Sequence, residues 1–539
     1  MRLTLTLLGL LIIITSFSQV SLMDSELPIL KLNTNSTPIV DDPRVTCEME
    51  IIDNGPGQIN NVNDPASFTG FITIEIRGST SQQYPKKNYG FSTVDPMGNN
   101  MDVPLMDMPP ENDWILYGPY PDKTLIRNVM TFNIFRQMGH YASNTRYCEM
   151  LIDGEYKGIY ILMEKIKRDA GRVDVTPLDS LSISGIELTG GYVFKVDKTT
   201  GTTVETFASA YNPEVLFQYH DPGPDELHSV QKSYLQSYIS DFEDVLDGPN
   251  FGDVNSGYHN LIDKESFFDF FIMEELGRTV DGYRSSSFLY KDRENIWGGK
   301  IHAGPIWDFN LSYGNADYCE ADQVTGWQYE FDNICPWFTS SVPFWWGKLL
   351  TDSTYSNGLK CRWEYLRQGP LHVDSLHNFV DSVATKLEAA RIRNFQQWPI
   401  IGVYVNWNGY VGSTYQEDVD YLKWYLENRI AWMDANLPGT CWPEMLSESQ
   451  QISEIPQFRI WPNPAVDMIN IGFTRTQSGL GKIELYSVDG RLIQVQDFTN
   501  LAEGNYLKQL DLSILESGQY LIRILQNEEL IGSQKIVKQ

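Results

Sequence analysis

The stretch Asp281–Asn315, DGYRSSSFLYKDRENIWGGKIHAGPIWDFNLSYGN, limits the fold more than any other part of the chain. Two runs, Ser287 to Lys291 and Lys300 to Trp307, flank the turn-rich ENIWGG and predict an antiparallel hairpin. Asp281 stands just before the first strand and Asp308 at the end of the second, so both carboxylates fall at one end of the hairpin. Held that way, two acids suit phosphoryl transfer, one taking the proton of an attacking hydroxyl and the other holding Mg²⁺. Aspartates at strand ends also cap their own backbone in ordinary turns, so the pair alone does not decide the chemistry.

A chain of 539 residues is too long for one core and must divide. Its net charge of −29, from 70 acidic and 41 basic residues, opposes nucleic acid or an anionic membrane as a partner. The beginning fixes the compartment: Arg2, then the apolar run Leu3 to Ile14, then small and polar residues predict a secretory signal peptide over residues 1–19. No later stretch approaches the roughly 20 apolar residues that cross a bilayer, so the mature chain is expected to have no transmembrane span. Export permits disulfides among the six cysteines, of which Cys319 with Cys335 is the expected local pair. No CxxC pattern, GxSxG elbow, HExxH or Walker lysine motif is present. His302, on the second hairpin strand, is the single histidine worth testing as a functional group.

Elsewhere, alternation over Phe71–Arg77 predicts a strand that ends in Gly78-Ser79-Thr80-Ser81 and turns through Pro85-Lys86-Lys87. Arg77, Lys86 and Lys87 either offer positive charge to a phosphate tail or form a solvated rim. Asp122 is placed to cap a helix reaching about Met138, with Arg127 in its first turns, where the helix dipole gives a cation no help and implies a specific partner. Strands at Tyr147–Ile152 and Gly158–Met163 join through Asp153-Gly154-Glu155, and Glu164 opens a charged connector. A strand at Gly190–Lys198, a helix around His228–Val245 and an apolar helix capped by Asp263 lead to Asp281. Trp327, Trp337, Trp345 and Trp346 read as core and lid, with sugar stacking as the other use. A helix over Tyr415–Leu437 closes the main domain. Residues 441–457 have linker composition, and about 80 residues of short strands and turns from 458 to 539 predict a small sandwich.

Two resemblances follow from these motifs. WPNPAVDMINI, IELYSVDGRLI, LDLSILESGQYLIRI and the final KIVK, in that order, resemble the type A C-terminal sorting domain of the Bacteroidetes type IX secretion system. That implies export across the outer membrane by the type IX machinery, with attachment to the cell surface or release. EIRGSTSQQYPKKNYGFS, NDWILYGPYPDKTLIRNVM, LIDGEYKGIYILMEKI, VDGYRSSSFLYKD and GPIWDFNLSYGN, within residues 28–440, resemble the spore-coat CotH kinase family of atypical protein kinases. The class so implied is α+β: a kinase-like two-lobed main domain followed by the all-β sandwich. The resemblance also implies ATP with Mg²⁺ or Mn²⁺, Asp281 as the catalytic aspartate and Asp308 as the metal-binding one. Adenine would meet the connector near Glu164, and Lys87 or Arg77 would reach the phosphates. Where a kinase catalytic loop has a metal-binding asparagine the chain has Ser286, a poorer ligand, with Asn310 as a compensating donor. No GxGxxG lid is present; the Gly78–Ser81 turn stands in its place.

Three functions fit: a secreted kinase acting on Ser/Thr of a protein substrate, an inactive kinase-like binding or structural module at the cell surface, and a glycan hydrolase using the two carboxylates.

Overall fold

Alternation along Phe68–Arg77 buries Ile72 and Ile74 and turns Thr73 and Glu75 outward, as a strand with one covered face requires. In the computed structural model this strand is the third of a closed barrel. The structure describes residues 20–199, 204–294, 299–442 and 458–538, less short turns at 462–464, 466–467, 476–478, 488–489, 502–503, 514 and 528. The signal peptide, hairpin-turn residues 295–298 and most of the linker therefore lie outside the described residues.

The barrel strands are β1 Ile29–Asn33, β2 Val45–Ile52, β3 Phe68–Arg77, β4 Asn88–Val94, β5 Asp113–Tyr117, β6 Thr145–Ile152 and β7 Glu155–Glu164. Their order around the wall is β1-β2-β3-β4-β5-β7-β6, and parallel pairing of β1 with β6 closes it. Closure leaves no free sheet edge. Leu32, Met49, Ile72, Phe91, Trp114 and Leu162 are among the side chains that fill the interior. The barrel stands where the resemblance implies a kinase-like lobe.

Helix α1, Arg127–Gln137, crosses from β5 to β6 and buries Met130, Phe132 and Phe135. It starts later than a cap at Asp122 implies, because the Asp122 carboxylate instead accepts from Thr124 N and Arg127 N. The partner expected for Arg127 is Asp122 itself, 2.7 Å away in a buried ion pair.

The second body holds an antiparallel sheet of β8 Tyr192–Val196, β9 Thr206–Ala208, β10 Leu216–Asp221, β11 Ser287–Lys291 and β12 Ile301–Ala303, in the order β9-β10-β8-β11-β12. The hairpin forms as expected, Leu289 opposite Ala303 and Tyr290 opposite His302. Its second strand stops at Ala303 rather than Trp307, since Gly304, at φ +117°, leaves the extended region and Pro305 has no N–H for the ladder. Beyond the sheet come α2 Ser229–Asp247, α3 Lys264–Gly277, α4 Ser353–Leu366, α5 Val373–Lys386, α6 Glu388–Gln397, which packs on barrel strand β7, and α7 Tyr415–Asn436. Asp263 caps α3, accepting from Ser266 N at 2.9 Å, and Phe267, Phe270, Phe271 and Leu276 are buried on several faces. One hydrophobic core runs from the outer face of the barrel (Ile115, Ile161, Met163) through α1 and α3 to α7.

The C-terminal unit is all-β. Strands β13 Phe458–Trp461, β14 Met468–Arg475 and β17 Gly504–Asp511 form one sheet; β15 Gly479–Ser487, β16 Leu492–Leu501, β18 Gly518–Gln526 and β19 Glu529–Lys538 form the other. Ile469, Ile471 and Phe473 share a core with Ile483, Leu485, Ile522 and Ile536, the period-two pattern of strands that face a second sheet.

Candidate functional site

The loop that carries Asp281 is built from its base upward. Glu275 on α3, fully buried, accepts from Gln328 N (2.7 Å), Tyr329 N (2.9 Å), the Tyr283 hydroxyl (3.0 Å) and Arg429 (3.2 Å). A buried carboxylate so engaged ties Tyr283, in the middle of the loop, to the 328–329 turn and to Arg429. Between α3 and β11 the backbone turns left-handed at Arg278 (φ +44°), Tyr283 (φ +66°) and Ser286 (φ +50°), three side chains that disfavour that region. Such strain persists where surrounding contacts impose it, and it concentrates at functional loops. Arg284 Nη2 donates to Asp281 Oδ1 at 2.9 Å, and Lys198 Nζ lies 3.8 Å from Asp281 Oδ2. Past β12, Asp308 is itself left-handed (φ +70°, ψ +47°).

Asp281 and Asp308 line one cleft of about 940 Å³ between the barrel and the second body. Arg77, the Gly78–Ser81 turn and Tyr117 come from the barrel; Lys195, Lys198, Arg284, Ser286 and Asn310 come from the other side. Asp308 faces the open cleft while protein surrounds it. This loss of solvation first, and the like charge of Asp281 second, raise its carboxyl pKa to about 6, against the pull of Lys198 and Arg77. Burial holds the Arg77 guanidinium below its ordinary value, opposed by Asp308 and Glu75. His220 also lines the cleft; burial pushes it down to about 4, and its ring nitrogen contacts Ile166 O at 2.8 Å.

Among the described residues, the side chains of Asp308, Asn310 and Ser286 have no hydrogen-bond partner in the protein. No group of three or more His, Cys, Asp or Glu side chains fit to cage a metal occurs among the described residues. Mg²⁺ does not need one, because it is commonly held by one or two carboxylates, substrate phosphates and water. The donors present, Asp308 with Asn310, Ser286 and neighbouring Asp281, suit such a hard cation.

Two anticipated residues are not brought to the cleft. Lys87 Nζ donates to Gln82 O at 2.5 Å and does not line it. The Glu164 carboxylate is buried elsewhere, accepting from Asn144 N, Asn144 Nδ2 and the Tyr141 hydroxyl, although Met163, Lys165 and Ile166 beside it do line the cleft. Strand alternation accounts for the split between Met163 and Glu164, since neighbours in β7 point to opposite sides. Lys86 is also withdrawn: it donates to Ile159 O and Asn394 Oδ1, and burial lowers its pKa to about 7. His302 stacks on Tyr290, 3.6 Å from Asp263 and outside the cleft. The cations overlooked in the sequence are Arg284, Lys195 and Lys198. The signal for the lysines lay in the strand YVFKVDK, where Lys195 and Asp197 share a face.

Residues 74–433 match the family described as CotH kinase protein, about two thirds of the chain. The chain belongs to the CotH kinase protein family. Residues 459–539 match a secretion system C-terminal sorting domain, so this CotH protein carries the signal for interaction with the secretion machinery and for delivery outside the cell or to its outer surface. No helix among the described residues is long and apolar enough to cross a membrane. No curated protein matches. One solved structure, Pseudomonas fluorescens alkylpurine DNA glycosylase AlkC bound to DNA containing an abasic site analog, aligns over 36% of this CotH chain and 71% of its own at 12% identity. Its TM-score of 0.12 carries no argument.

Proposed function

We propose that this CotH protein is a secreted or surface kinase that transfers the γ-phosphate of ATP, with Mg²⁺ or Mn²⁺, to Ser/Thr hydroxyls of a protein substrate. The observation that carries the reading is the presence of Asp281 and Asp308 on one cleft beneath Arg77 and the Gly78–Ser81 turn. In this reading the barrel serves as the N-terminal lobe of a kinase-like pair. When bound, the metal–nucleotide would supply the phosphoryl group and neutralise charge on its oxygens. Asp308 would hold the metal with Asn310, and Ser286 would stand where a stronger amide ligand serves elsewhere. Arg284 fixes Oδ1 of Asp281, and Oδ2, with Lys198 3.8 Å away, would orient an acceptor hydroxyl and take its proton. Arg77 and Lys198 would face the phosphates, as would the backbone N–H groups of the Gly78–Ser81 turn. The rest of the acceleration would come from positioning.

The test is incubation of the purified protein, lacking residues 1–19 and the sorting unit, with labelled ATP and Mg²⁺ or Mn²⁺. Phosphate incorporation that Asp281→Asn removes, while nucleotide-dependent thermal stabilisation survives, is the expected result. Wild-type protein showing neither incorporation nor stabilisation by any nucleotide would refute the enzymatic reading and leave a binding module.

A further inference from the structure

Trp327, Trp337, Trp345 and Trp346 lie close in sequence, yet the structure separates them. Trp345 and Trp346 are buried, Trp327 is half-buried, and Trp337 is 72% exposed while lining the cleft. It stands two residues past Cys335, which a disulfide ties to Cys319, and beside Phe338, itself 37% exposed and also on the cleft. An indole left bare at a site, just beyond a covalent cross-link, has a large contact area and few torsions to fix, the properties of a binding anchor.

The ledge is fastened to the side of the cleft that holds Asp281. Ser340 Oγ donates to Arg284 O at 2.8 Å, and the Arg284 guanidinium lies 4.1 Å from the Phe331 ring centroid and 4.9 Å from that of Phe338. The same guanidinium holds Asp281. Tyr318, the residue before Cys319, stacks on Phe338. A group that presents a hydroxyl to Asp281 is thus in reach of the ledge.

Resting on the kinase reading, we propose that Trp337 is a specificity-determining residue, which selects polypeptide acceptors with an apolar or aromatic side chain next to the phosphorylated hydroxyl. A sugar would need hydrogen-bonding side chains around the indole. Here the Ser340 hydroxyl already serves Arg284, and the rings of Trp337, Phe338 and Tyr318 outweigh the Thr339 hydroxyl beside them, a surface an apolar side chain covers with few polar groups to leave unpaired.

The experiment titrates two short peptides onto the full exported chain with Mg²⁺ and a non-hydrolysable ATP analogue, one with phenylalanine on each side of a central serine, the other with glycine there. A cello- or chito-oligosaccharide serves as a third ligand. Wild type should bind the phenylalanine peptide at least about tenfold more tightly than Trp337→Ala does, with Trp337→Phe between them and all three variants stabilised equally by the nucleotide. Equal binding by wild type and Trp337→Ala overturns the inference, as does Trp337-dependent binding of the oligosaccharide with none of the peptide. Peptide selectivity without phosphate transfer from labelled ATP would spare the ledge and sink the kinase reading, so the two fail separately.

Discussion

The barrel interior and the cleft beside it are made to opposite rules. Inside the barrel every strand is paired around a closed circuit, and the core is apolar and filled. At the cleft the backbone is left-handed at Ser286 and Asp308, the Ser286, Asp308 and Asn310 side chains lack hydrogen-bond partners among the described residues, and burial with the charge of Asp281 raises the cost of ionising Asp308. The contrast teaches that conformational and electrostatic strain is confined to loops, while adjoining β-structure and the shared helical core hold those loops in place.

The largest test of that contrast separates activity from stability. Asp308→Asn should reduce phosphate transfer by roughly 10²–10⁴-fold, the range for a positioned charged group, without loosening the fold. The pH dependence has a definite sign. Because the folded-state pKa of Asp308 is raised to about 6 from 3.8, the folded protein binds more protons than the unfolded one between those values, and stability falls as pH rises through that window. Asp308→Asn should therefore raise Tm at pH 8 and leave it nearly unchanged below pH 4. Metal-dependent nucleotide binding by wild type should weaken as pH falls through about 6, where the proton competes for the same oxygens. A flat binding profile from pH 5 to 8 would break the assignment.

The complementary change belongs in the barrel. Trp114→Ala should cost about 3–5 kcal/mol in denaturant unfolding, the usual loss for a large buried ring, while nucleotide affinity of the folded fraction stays within about twofold. Losing the Cys319–Cys335 bond, which closes a loop of sequence separation 16, should cost about 3 kcal/mol if the chain-entropy account holds, measured by unfolding of the Cys319→Ser/Cys335→Ser double variant. The smallest effect is expected from Lys87→Ala. Its ammonium already bonds Gln82 O, so nucleotide binding should not change and stability should move by no more than about 0.5 kcal/mol.

Local chemistry was readable in the sequence. The Asp263 cap and apolar run gave α3, the Val419–Met433 stripe gave α7, Cys319 and Cys335 form the bond expected of local partners although spacing alone did not choose it, and Arg127 had the partner its awkward helix position demanded. The three helices between 353 and 397 were missed, although Asp352 caps the first and Leu376, Val380 and Val383 form a helical stripe in the second. The aromatic run before them drew the reading toward a lid. Barrel closure leaves no local trace, since β1 and β6 pair across more than a hundred residues. At the site, the aspartate pair was visible because a hairpin brings its ends together. The inward turn of Glu164 and the capture of Lys87 depend on partners distant in sequence or on a turn conformation that composition does not encode.

The second disulfide, Cys361–Cys441, joins the middle of α4 to the chain just beyond α7. Tension applied through the sorting unit, as during threading across an envelope or tethering outside it, enters the main body through a covalent cross-link rather than at a fraying helix terminus. With that link intact α7 cannot be peeled backward from its end, so the force needed to unravel it in a pulling measurement should fall once the link is reduced.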